Sequence, residues 1–290
     1  MGLTKNMCEL ILSAKHKRYI NLDKILMVGR QNLHLNPNQL AISLEKFEYC
    51  IDNISNLINK ENTFADAFFK EIGGKDIHSI DASNYEDATI IQDLNKPIPN
   101  TYKNKYTFVL DSGTLEHVFN FPQAIKNCME LTQVGGHFMG IYPCNNFFGH
   151  GFYQFSSELF YRVLCKENGF ELIDVVIFVD DLDTTFYNVP DTSVKHQRIQ
   201  FTNTKPVYIY VLAKKIEDTT LFDNQPLQMD YAQLKWKGQR SSLKNEVKRK
   251  PLKKYLPQYL KNILKALANK TQKPDSIHFN KPYFSIYNLK

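Results

Sequence analysis

Between residues 24 and 216, short apolar runs alternate with stretches of helical periodicity, and no other feature restricts the possible folds so much. The runs are 24–28 (KILMV), 76–81 (DIHSID), 88–94 (ATIIQDL), 106–111 (YTFVLD), 137–143 (HFMGIYP), 170–179 (FELIDVVIFV) and 206–216 (PVYIYVLAKKI). After the first, Asn36-Pro37 supplies an N-cap and a proline at the first helical position. Leu40, Leu44, Phe47, Ile51, Ile54 and Ile58 then recur every three or four residues, which predicts one face of a long helix. A second helical piece, 63–72, stops at Gly73-Gly74, and helical stretches over 121–132 and 157–168 stop at Gly135-Gly136 and Gly169. Such alternation predicts a doubly wound α/β fold, a mostly parallel seven-stranded sheet with helices on both faces. The last two runs have no helix between them and predict an antiparallel hairpin at one edge.

The 290 residues divide on this reading into an N-terminal helix (1–23), a Rossmann-like domain (24–216) and a basic extension (217–290). Hydrophobic residues are 43% of the chain, enough for a packed core, and no apolar run approaches the length of a membrane span. The opening residues are too short and too polar for a signal peptide and read as an amphipathic helix. Cys8, Cys50, Cys128, Cys144 and Cys165 are scattered, odd in number and without a CxxC pair, so reduced cytosolic thiols are expected.

In a doubly wound sheet, ligands bind beyond the carboxyl ends of the strands. Three runs finish on or beside an acid: Asp81, Asp93 and Asp111. In that order they could accept a ribose diol, take an adenine amine and face the reacting end of a cofactor. Each could equally cap the turn that follows it.

The segment "FVLDSGTLEHVFNFPQAIKNCMELTQVGGHFMGIYP" and its continuation "FYQFSSELFYRVLCKENGFEL" resemble the class I, Rossmann-like S-adenosylmethionine-dependent methyltransferases, over about two thirds of the chain. The resemblance implies that S-adenosylmethionine is the cofactor. Its site would comprise Gly29, Arg30, Gln31, Asp81, Asp93, Leu94, Asp111, Ser112 and Gly113. The family's first turn holds two or three glycines, whereas here Gly29 is followed by Arg30 and Gln31. A dinucleotide's pyrophosphate needs several glycines and backbone amides. S-adenosylmethionine carries no phosphate, so one glycine for close approach suffices if another group holds its carboxylate. Arg30 could grip that carboxylate through paired hydrogen bonds, or could instead pair with an acid of the body.

Methyl transfer is an in-line displacement in which positioning supplies much of the rate, and an alcohol acceptor gains from a nearby base. The candidate catalytic residues are His117, His150 and Tyr153. His150 lies between Gly149 and Gly151 in a loop rich in aromatics, which suits a sugar or a planar ring. No metal site is expected: "DDLD" (180–183) reads as a solvated loop, and no two histidines on one element have zinc-site spacing.

From Lys235 onward there are 15 Lys/Arg against two acids, a local net charge of +13, while the residues before it carry −7. Within that stretch, Pro257 can open an amphipathic helix over 257–269. It would fit an anionic membrane surface, a packed terminal helix or, less well, a nucleic-acid backbone. The sequence therefore predicts a cytoplasmic methyltransferase, peripheral to the inner membrane face, that O-methylates a small polar molecule or a lipid-linked glycan. Nucleic-acid methylation and a catalytically silent binding protein are the alternatives.

Overall fold

Residues 24–28 form the first strand of the central sheet, β1 (Lys24–Val28), with both faces covered. In a computed structural model, which describes residues 2–59, 61, 63–191, 199, 201–229, 231, 278–279 and 284–290, the sheet continues through β2 (Asp76–Asp81), β3 (Ile90–Ile91), β4 (Tyr106–Ser112), β5 (Thr132–Asn145), β6 (Phe170–Val179) and β7 (Val207–Lys215). Their spatial order is β6-β7-β5-β4-β1-β2-β3. Strands β3, β2, β1, β4 and β5 run parallel, and β7 pairs antiparallel with both β5 and β6. The hairpin expected at the edge therefore places its second strand one position inward. Two short strands, Tyr187–Asn188 and Ser285–Ile286, extend the sheet beyond β6.

Alternation along β1 sorts its residues onto two faces. Ile25 and Met27 join a cluster with helices α1 (Lys5–His16), α2 (Pro37–Lys46) and α3 (Asp66–Glu71). Leu26 and Val28 join another with α4 (Phe121–Leu131) and α5 (Ser157–Val163). That is the doubly wound layering read from the sequence. The chain terminus returns to the first cluster, where Tyr287 and Leu289 are buried. Among the described residues, no helix is long and apolar enough to cross a membrane. The predicted basic helix over 257–269 lies outside the described residues.

The long helix does not form. Asn36 and Gln39 make the reciprocal cap that the sequence implies, but α2 ends at Lys46, with Glu48 at φ +69° and the Tyr49 amide returning to Leu44 O. The residues that follow, Cys50-Ile51-Asp52-Asn53, are poor helix formers, and Asn53 caps a 3₁₀ turn, Ile54–Asn56, instead. Leu40, Leu44, Phe47 and Ile58 still reach the core, with Ile51 and Ile54 packed at its margin. Two other elements are shorter than expected: only Ile90–Ile91 of 88–94 pairs as strand, and the helix after Ser156 stops at Val163 before a 3₁₀ turn at Lys166–Asn168.

His137 on β5 is 5% exposed, and its Nδ1 has no hydrogen-bond partner. Burial, with help from Lys214, pushes its pKa down to about 4. The unfolded chain thus binds the extra proton first, and stability falls as pH drops from about 6.5 through 4. We expect His137→Leu to remove roughly 2 kcal/mol of this acid sensitivity, read as the difference between wild-type and variant urea midpoints at pH 7 and pH 4.5.

Candidate active site

Gly29 follows β1 with φ +68°, and its amide bonds to Ile80 O on β2. The glycine-poor turn is closed by a side chain. Gln31 is wholly buried, and its Nε2 donates to Val28 O (2.9 Å) and Gly29 O (3.2 Å), while its Oε1 has no partner. Arg30 does not stand free to hold a carboxylate. Its Nε lies 3.3 Å from Asp66 Oδ2, Nη1 donates to Glu86 O (3.1 Å), and the guanidinium sits 3.9 Å above the Phe64 ring. Of the two uses its position allows, pairing with an acid of the body is the one the structure shows.

Asp81, at the end of β2, is half-buried, and its Oδ1 accepts the Ser83 amide (3.2 Å). Asp93 caps its own turn, accepting the Asn95 amide at 3.0 Å and Lys96 at 3.5 Å. Leu94 is buried in the α4 cluster. Ser112 is buried and donates to Met7 Sδ of α1 (3.5 Å).

Asp111 is turned into the core. It is fully buried, with Oδ1 accepting Thr114 N (3.0 Å) and Oδ2 accepting Leu115 N (3.2 Å). Burial raises its pKa to about 6 against these bonds and the nearby Tyr142 hydroxyl. Its work is to hold the turn that runs from Gly113 (φ +89°) into a 3₁₀ segment, Leu115–His117.

That turn carries a residue not singled out from the sequence. Glu116 is 1% exposed, and neither carboxylate oxygen has a hydrogen-bond partner. Burial first, then Asp111, pushes its pKa up to about 8. The loop after β5 closes over it: the Phe152 and Tyr153 amides donate to Glu116 O (2.8 and 3.3 Å). Gly151 (φ +70°) comes so near that a Cβ there would lie 2.9 Å from that carbonyl. His150 Nε2 stands 3.6 Å from Glu116 Oε1, and the His117 and His150 rings meet edge to face at 4.9 Å. Glu116, His117 and His150 each offer a ligand atom within 4.8 Å of the others. Burial and His150 together hold His117 below the ordinary histidine range. Both histidines are exposed, and Phe119, Phe148 and Phe152 are exposed nearby in the chain. Tyr153, by contrast, spends its hydroxyl on Phe119 O (2.6 Å) and packs its ring beside Phe121 and Phe155. It braces the loop. The signal for Glu116 was its place directly before His117, but only burial distinguishes it from a surface acid.

Numbered along the chain, the strands follow the Rossmann order 3-2-1-4-5-6 with the antiparallel seventh wedged between the fifth and sixth. The chain has the class I methyltransferase fold. No family model and no curated protein matches the sequence. Solved structures that resemble it include a SAM-dependent methyltransferase from Aquifex aeolicus (12% identity, 70% of this chain and 90% of that one, TM-score 0.33). Others are the 1,6-didemethyltoxoflavin-N1-methyltransferase of Burkholderia thailandensis (10%, 72% and 79%, 0.40) and the branched-chain polyamine synthase of Thermus thermophilus (10%, 75% and 57%, 0.40). These likenesses are distant, and the fold assignment rests on the strand order. In a methyltransferase fold so ordered, the Gly29 turn, Asp81 and the Glu116 cluster all lie at or beyond the carboxyl ends of β1, β2, β4 and β5.

Proposed function

We propose that this chain transfers a methyl group from S-adenosylmethionine to an oxygen of a small polar acceptor or glycan. The observation that carries the reading is the convergence of a left-handed Gly29 turn, the strand-end acid Asp81 and a polar cluster over buried Glu116 on one rim of the sheet. When bound, the cofactor supplies a methyl group on a positively charged sulfur, which a suitably placed nucleophile displaces in line.

The residues present fit the nucleoside half of such a cofactor. Gly29 allows close backbone approach, and the half-buried Asp81 offers a carboxylate at the position where a ribose diol would be accepted. Arg30 fixes the turn through Asp66 instead of holding the amino-acid end. At the opposite side of the rim, Glu116, His117 and His150 orient the acceptor hydroxyl and take up the charge it develops. Phe119, Phe148 and Phe152 offer apolar faces for a sugar ring. The basic stretch from Lys235 would hold the enzyme near an anionic lipid surface that carries the acceptor.

Calorimetric titration with S-adenosylhomocysteine tests the cofactor assignment directly. Wild-type protein should bind one equivalent, and Asp81→Ala should weaken binding by roughly 10- to 100-fold, the loss of hydrogen bonds to a charged group. A second reading, a methyltransferase-like binding protein without turnover, draws on the engaged Arg30 and the Gln31-filled turn. Absence of heat in the wild-type titration would favour it.

A further inference from the structure

We infer that Glu116, His117 and His150 form a site for a divalent transition-metal ion. One carboxylate and two imidazoles around an open face are a donor set that suits zinc, iron, cobalt or nickel better than magnesium. The 3.6 Å between His150 Nε2 and Glu116 Oε1 is too long for a hydrogen bond. It is close to the roughly 3.4 Å that separates two ligands held about 2.1 Å from one tetrahedral ion. The ligand atoms of the trio all lie within 4.8 Å of one another, and both histidine rings are exposed, where rotation can adjust their spacing.

Burial gives an independent reason. Glu116 is a 1% exposed carboxylate with neither oxygen hydrogen-bonded, and its buried neighbour Asp111 spends its own oxygens on backbone amides. Two such buried acids under one loop have no Lys or Arg paired to either among the described residues, so a bound cation would supply the counter-charge that lets Glu116 act as an anionic ligand. The backbone makes room for this arrangement. A Cβ at Gly113 would come within 3.3 Å of Glu116 Oε1, and Gly151 lets the loop press on the Glu116 carbonyl. The two histidines face solvent, so the remaining coordination positions are open to exchangeable water or to oxygens of an acceptor. As to its role, the inference rests on the proposed methyl transfer: the ion would bind the acceptor's hydroxyl and lower its pKa. As to binding, it stands alone.

The test uses the full chain without an affinity tag, stripped with chelator and titrated with Co²⁺ alone, followed by visible absorption and by Zn²⁺ competition. One equivalent should bind with the absorption of an imidazole- and carboxylate-ligated cobalt ion. Glu116→Gln and His150→Ala should each weaken affinity by about 100-fold or more, at or beyond the upper end of effects seen for residues merely supporting a metal ligand. Thermal melts establish that both variants are folded, and S-adenosylhomocysteine binding by Glu116→Gln should match wild type. Cobalt binding that is absent in wild type, or equally strong in both variants, overturns the site. Cobalt binding without S-adenosylhomocysteine binding keeps the site and overturns the cofactor reading.

Discussion

Gly140→Ala should destabilise the protein by about 1–3 kcal/mol, the range for overpacking a core. Gly140 sits in mid-β5, opposite Asp111 on one side and Val211 on the other. The Tyr142 ring folds back over it, so that a Cβ at Gly140 would lie 2.3 Å from Tyr142 Cε2 and 2.8 Å from the hydroxyl. An exposed ring would swing aside, but Tyr142 is fully buried. It is stacked on Phe160 (5.5 Å, 8° between planes) and edge-on to Phe155 (5.2 Å). Displacing it also takes its hydroxyl from the neighbourhood of Asp111, the acid that holds the Glu116 turn. Urea unfolding would measure the loss. Tyr142→Leu in the same chain should recover more than half of it, because the smaller side chain vacates the space, and the double-mutant cycle isolates that coupling. A simple additive result would place the cost in the strand backbone instead.

Turnover should fall by roughly 10²–10⁴-fold in His150→Ala, the range for losing a group that handles the acceptor's proton or charge. Affinity for S-adenosylhomocysteine should stay within a factor of about two, since His150 belongs to the loop after β5 and not to the β1 or β2 turns. His117→Ala should behave likewise, because the two rings share one cluster. Tyr153→Phe is the informative contrast. The sequence grouped it with the histidines, yet its hydroxyl is committed to Phe119 O. Its loss should cost about 1 kcal/mol of loop stability and little of the chemistry. Steady-state kinetics with labelled methyl donor separate these outcomes. A Tyr153→Phe enzyme as inactive as His150→Ala would restore the tyrosine to the site.

Much of the candidate site was legible in part only. Gly29 and Asp81 stand at strand ends as their places in the apolar runs require. Asp93 and Asp111 stand there too, but their carboxylates serve the turns that follow, which is the plainer use of an acid after a strand. Both uses of Arg30 stayed open because its partner, Asp66, is 36 residues away on a helix whose approach no local pattern encodes. Glu116 carries no local mark of burial, because nothing in "LEHV" tells which side of a 3₁₀ turn faces inward.

The sequence alone determined where most of the apolar core would lie and that the chain would build a doubly wound sheet. Apolar spacing reports burial directly, and each short run is a strand for local reasons. What it could not carry was continuity and convergence. The residues from Leu40 to Ile58 share a core without sharing a helix, because periodicity survives a chain reversal at Glu48. The insertion of β7 between β5 and β6, the pairing of Arg30 and the meeting of Glu116 with His150 were decided only by tertiary structure. Such contacts join segments tens of residues apart, and their energies depend on the dielectric and the neighbours that the finished fold provides.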